Sequence, residues 1–171
     1  PYVNESAEGF RLLTHAEWEL AARWRGNSVN SVSGYSDPWF TKGDSASRAD
    51  CAHDDTNDIN PNNGVPDGKD ENDLAAVYFA YWDGDSYEPT GISSTARVAS
   101  RGSNGLGIYD MSGNVKEWVF AWLPDRVGEF RISPGGAWDN ESRELRIGWR
   151  RSYLPYWEDE AIGFRFCRNA N

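Results

Sequence analysis

Asn104-Gly105-Leu106-Gly107-Ile108-Tyr109-Asp110-Met111-Ser112-Gly113-Asn114-Val115-Lys116-Glu117-Trp118 is the stretch on which the reading of this chain turns. It joins a glycine-bearing tight turn to a run with strand periodicity. From Val115 to Trp122 the side chains alternate, with Trp118, Phe120 and Trp122 on one face and Glu117, Val119 and Ala121 on the other. Downstream, Pro124-Asp125 begins a turn, and Glu129 to Ile132 is expected to return as a strand. Gly135-Gly136 allows a sharp bend or a close backbone approach. Ile162 to Arg168 alternates again and is predicted as the terminal strand. Upstream, Thr14 and Glu17 form a capping box ahead of good helix formers through Arg23. Gly26 is placed to stop that helix.

Between these ends, residues 27–105 read mostly as loop. Residues 54–73 are so polar that they cannot bury enough apolar surface to fold alone, and they read as a solvated surface insertion. A calcium loop of EF-hand type does not fit. Counting from Asp58, the required turn glycine falls on Asn63, and Pro61 restricts the backbone. Leu74 to Trp82 is apolar and aromatic and is expected to bring the chain back to the core.

The length, 171 residues, suits a single domain. Nine Trp and 17 Gly point to a loop-rich domain packed largely by aromatic side chains. A formal charge of −10 argues against nucleic acid or an anionic membrane as partner, since both attract basic surface. No apolar run reaches spanning length, so direct membrane insertion is not expected. The chain starts at Pro1 and reads as a fragment or processed form. Cys51 and Cys167 are too few for a disulfide framework; one bridge or two separate buried thiols both fit.

Three segments together resemble the formylglycine-generating-enzyme (sulfatase-modifying-factor) family. They are Phe10 to Arg23, Asn104 to Trp118, and Gly135-Gly136-Ala137-Trp138 followed by Arg146, Arg150, Pro155 and Ile162-Gly163-Phe164-Arg165. Their order and spacing match the family over most of the chain. The resemblance implies an α+β, C-type lectin-type fold in its formylglycine-generating-enzyme variant. Such a fold is loop-rich, with few helices and small antiparallel sheets. It also implies one domain over residues 1–171, lacking the family's N-terminal portion.

The enzymes of that family hold copper with two nearby cysteines, because soft thiolates suit Cu(I). The matching stretch here, Asp139-Asn140-Glu141-Ser142-Arg143-Glu144-Leu145, has no thiol, and neither Cys51 nor Cys167 falls at a catalytic position. The resemblance therefore implies no copper and no formylglycine chemistry. His15 reads as a surface residue, and His53 borders the polar insertion. The resemblance also implies a structural calcium site, with carboxylates of Asp110 and Glu117 and backbone carbonyls of Gly113 and Val115. Oxygen donors gathered by a tight turn suit that hard cation. The alternative is that Asp110 caps the turn and Glu117 pairs with an arginine.

Trp149-Arg150-Arg151-Ser152-Tyr153-Leu154-Pro155-Tyr156-Trp157-Glu158-Asp159 is dense in rings and charges without a steady period. Those rings belong either to the core or to a binding surface. Four rings so close together, interleaved with Arg151, Glu158 and Asp159, are awkward to bury at once, which favours the surface. The segment also resembles variable proteins of diversity-generating retroelements, with Arg146, Arg150 and Pro155 as framework. That resemblance makes Asp139, Asn140, Glu141, Trp149, Arg151, Ser152, Tyr153, Leu154, Tyr156, Trp157, Asp159, Glu160 and Ala161 the diversified, ligand-binding positions. The expected function is a non-enzymatic display module for a protein or glycan ligand, at a bacterial cell surface or secreted. A copper- and oxygen-dependent sulfatase-activating enzyme is the alternative, disfavoured by the missing thiol pair.

Overall fold

The computed structural model describes residues 9–24, 46–47 and 72–169. The expected polar insertion at 54–73, apart from its last two residues, lies outside them, as do Cys51, His53 and the predicted helix stop at Gly26.

Strand β1 (Arg11–Leu12) leads into helix α1 (His15–Arg23). The capping box forms as read: Thr14 Oγ1 accepts from the Glu17 amide at 3.2 Å, and Glu17 Oε2 accepts from the Thr14 amide at 2.8 Å. Arg11 adds two 2.7 Å bonds to the same carboxylate and a third bond, 2.9 Å, to Asn169. Held first by Arg11 and then by the cap, the Glu17 carboxyl drops from its ordinary 4.5 to about 2. Trp18 and Ala22 form the buried stripe of α1. His15, expected at the surface, is half-buried, and burial lowers its pKa.

The run Leu74 to Trp82 does return to the interior: residues 75–78 are buried, and Ala80–Trp82 forms β2, antiparallel to β3 (Tyr87–Pro89). Beyond the turn at 110–114, β4 (Lys116–Trp118) pairs in parallel with β7 (Ile162–Phe164). That parallel pair departs from the expectation of antiparallel sheets alone. The alternation past β4 persists in burial, with Val119 enclosed and Phe120 and Trp122 half-buried.

Strand β5 (Arg131–Pro134) begins two residues later than predicted. A 3-10 turn over Pro124–Arg126 and the bond from the Glu129 amide to the Arg126 carbonyl occupy the intervening residues. β5 pairs antiparallel with β6 (Arg150–Tyr153), a strand the sequence did not show. The burial of β6 runs from two exposed to two half-buried residues, so it carries no inside–outside alternation. The terminal strand is divided: β7 ends at Phe164, and β8 (Phe166–Cys167) pairs with β1. Arg165, between them, turns its side chain inward to Glu117. Cys167 is a free thiol packed beside the core.

The main core joins Leu13, Trp18 and Ala22 to Met111, Val119, Ile132 and Ile147. A second cluster gathers Ala46, Ala76, Tyr78 and Leu145. The short helix α1, a helical turn at residues 72–75, several two-stranded sheets and ordered connections among the described residues make an α+β, loop-rich domain.

Candidate binding surface

The surface is built on β6 and the turn after it. Register places Tyr153 opposite Arg131 at the end of the β5–β6 pair. The Tyr153 ring meets Trp118 edge-on, with centroids 6.1 Å apart, and stacks with Trp157 at 6.3 Å. The Trp157 amide donates to the Leu154 carbonyl, closing a turn that contains Pro155. Tyr153 is half-buried, and burial raises its hydroxyl pKa. Trp157 is 49% exposed and Tyr156 76%. The outer Trp157 ring thus stands on the inner Tyr153 ring, which is itself braced by Trp118 of β4.

Charges surround this ladder. Arg151 is exposed and bonded at 2.5 Å to Glu144, a buried carboxylate. Asp139 lies 3.3 Å from the buried ammonium of Lys116, and Glu141 lies 3.0 Å from Arg143. Asp159 and Glu160 are exposed, with Asp159 Oδ1 also accepting from the Ala161 amide. Ser152 and Leu154 are half-buried, as is Trp149, whose indole N–H is enclosed without a partner. Two predicted ligand positions do not reach the surface. Asn140 is buried because its Oδ1 accepts from the Ala137 amide, and Ala161 is buried where its carbonyl accepts from the Lys116 amide. Sequence reasoning missed Lys116, Glu144 and Trp118 as supports of this face; nothing local in the sequence marks them, because each acts through a distant partner.

The turn 110–117 carries the predicted calcium ligands. Asp110, Gly113 and Asn114 all have positive φ, and the turn is tied to the Val77 carbonyl, the Ala96 amide and the Trp138 amide. Asp110, Val115 and Glu117 line one cleft of about 590 Å³, which Gly113 does not line. Glu117 accepts from the Trp18 indole at 2.7 Å and from Arg165 at 2.7 and 3.1 Å. Asp110 Oδ2 accepts from the Ala99 amide at 2.8 Å. The arginine pair of the second sequence reading is present at Glu117, whereas Asp110 ties its turn to the Ala99 segment rather than capping it. As they stand, these groups do not fit a divalent ion, which would sit beside the Arg165 guanidinium and compete for the same oxygens.

The sulfatase-modifying factor enzyme 1-like domain model matches residues 2–170. The chain belongs to this family. Among solved structures, variable protein 1 of Treponema denticola is similar, with a TM-score of 0.60, 25% identity, and coverage of 98% of this chain and 50% of that one. A structure titled CarF is similar too, with a TM-score of 0.59, 26% identity, and coverage of 98% and 51%. A curated relative, chaperone protein LppX of Paenibacillus barcinonensis, is 31% identical over 159 residues, 86% of this chain and 45% of LppX. The chain therefore spans about half the length of the relatives it matches. These likenesses make the fold the C-type lectin-type arrangement of the sulfatase-modifying factor family. In this member, Ser142–Leu145 forms a 3-10 turn with Ser142, Glu144 and Leu145 buried. Among the described residues no helix is long and apolar enough to cross a membrane.

Proposed function

We propose that this domain is a non-catalytic display module whose face over residues 139–161 grips a protein or glycan ligand, and that a retroelement diversifies that face. The observation that carries the proposal is the ladder Trp118–Tyr153–Trp157, which holds large rings half in water on a braced turn. Aromatic anchors on a preorganised backbone give contact area at low entropic cost, and neighbouring charges set specificity. The likeness to a variable protein supports the reading. A bacterial surface or secreted setting belongs to the same proposal, as does the absence of copper chemistry, which rests on the thiol-free stretch 139–145.

The test screens the intact protein against panels of glycans and cell-surface proteins, then repeats it with Tyr156→Ala/Trp157→Ala. Both rings are exposed, so the double variant should fold with an unchanged melting temperature. Its affinity should fall by roughly 30-fold or more, the scale of a hot-spot residue. Equal affinity in a folded double variant would refute the proposed face. Sister copies of the locus should vary at the exposed positions and spare Asn140 and Ala161.

Calcium at the 110–117 turn is a separate proposal, supported by the shared cleft of Asp110, Val115 and Glu117. It requires Arg165 to release Glu117. Millimolar calcium should then raise the melting temperature of the wild type and leave Glu117→Gln unmoved; no rise in the wild type removes the proposal.

A further inference from the structure

Arg131 opens β5 and is 8% exposed. Its guanidinium carbon lies 3.9 Å from the centroid of the Trp122 ring and 4.7 Å from that of Phe120. Arg11, Arg126, Arg143, Arg151 and Arg165 each meet a carboxylate. Arg131 does not: its Nη1 is shut off from solvent and has no hydrogen-bond partner. Burial alone lowers its pKa, with no charged neighbour acting against it. Burying a cation without a partner is costly, and two aromatic faces offset only part of that cost. Among the described residues the charge has no partner.

Arg131 also lines a cleft of about 440 Å³ with Leu12, Trp118, Phe120, Pro155 and Phe164. That volume is in the range of small-molecule sites, roughly 300–1,000 Å³. Arg131 is the one charged residue among the described residues of the wall; the rest is aromatic or aliphatic. We propose that this cleft binds a carboxylate carried on an apolar, preferably aromatic, body, with the Arg131 guanidinium as its counter-ion.

The chemistry selects that class. One guanidinium in apolar walls balances one negative charge, and its Nε–Nη2 edge, the side away from the enclosed Nη1, has the spacing to meet both oxygens of a carboxylate. A phosphate dianion would leave a net charge buried in the same walls. A neutral ligand would leave Arg131 unpaired. A ring on the ligand would meet Trp118, Phe120 and Phe164, and its carboxylate would stay near the Arg131 end. The same chemistry is offered by a free aromatic acid or by the C-terminal residue of a peptide. The cleft borders the face over 139–161, sharing Trp118 and Pro155 with it. Its chemistry rests on Arg131, so binding of a small acid is tested independently of whether that face grips a macromolecule.

The test is calorimetric titration of the full chain with 3-phenylpropionate, 3-phenylpropionamide, and an Ala-Ala-Phe peptide with free or amidated C-terminus. The acids should bind roughly tenfold or more tightly than the matching amides. Preference for the free peptide over the small acid would point to a chain end as the natural source, and the reverse to a free acid. Arg131→Met should abolish the acid preference while keeping or raising the melting temperature, because it replaces a desolvated cation with an apolar chain. Arg131→Lys, which keeps the charge without the fork, should bind the acids more weakly than the wild type and more tightly than Arg131→Met. Acid and amide binding alike, Arg131→Met binding like the wild type, or no binding of any probe at millimolar concentration would each overturn the proposal.

Discussion

Glu117→Ala should destabilise the domain by about 4 kcal/mol, read as a lower denaturant midpoint at unchanged slope. The carboxylate serves two buried or half-buried donors at once. Trp18, fully enclosed at the centre of the core, loses the acceptor for its indole N–H. An orphaned buried donor costs about 1–3 kcal/mol. Arg165 loses its charge partner and keeps only the Tyr109 and Asp110 carbonyls as acceptors. Its side chain is 28% exposed, so water returns some of that loss, and the low end of the usual 3–5 kcal/mol for breaking a buried pair applies. The two costs overlap, because both arise from one deleted group. Glu117→Gln keeps an acceptor oxygen and should lose about half as much. A Glu117→Ala variant within about 1 kcal/mol of the wild type would show that the Trp18–Glu117–Arg165 junction does not hold the core together.

The second large effect is expected at Gly113. Its φ is +76°, and a Cβ built there would lie 2.5 Å from the Val77 carbonyl oxygen, 2.9 Å from the Val77 nitrogen and 3.0 Å from the Ala76 Cβ. The obstacle is mostly backbone, held by the bond from the Asn114 amide to that same Val77 carbonyl, so it cannot swing aside. Gly113→Ala combines the left-handed penalty, about 1–2 kcal/mol, with steric displacement of about 1–3 kcal/mol. Gly107→Ala isolates the first contribution. Gly107 has φ +72° and nothing within 4 Å of the added carbon. Thermal denaturation of both variants should therefore show Gly113→Ala losing several degrees more than Gly107→Ala. Equal losses would mean that the turn yields at Val77.

What the sequence made legible was local. The cap of α1 was readable because Thr14 and Glu17 are three residues apart and satisfy each other. The turn at 110–114 was readable from its pattern, and the alternation from Val115 survives in burial. What stayed hidden depended on distant partners. Arg165 interrupts an alternating run because Glu117, 48 positions earlier, draws its side chain inward. β6 had no period to read because its burial changes along the strand, from Arg150–Arg151 exposed to Ser152–Tyr153 half-buried, instead of alternating. Asn140 looked like one more polar surface position, yet its side chain closes a turn on Ala137. Arg131 gave no signal, since its solitude appears only once Phe120, Trp122 and the cleft walls surround it.

The pairing of β1 with β8 has a consequence for the order in which this molecule is made. Arg11 finds its strand partner in Cys167, so that pair cannot zip until the whole stretch between them has been made. Assembly that waits on such remote encounters is intrinsically slow, and the nascent chain spends that interval with apolar residues uncovered. The stretch 139–161 is enclosed between those two late-meeting strands, so a substitution there that spoils the closure keeps the chain from its folded form.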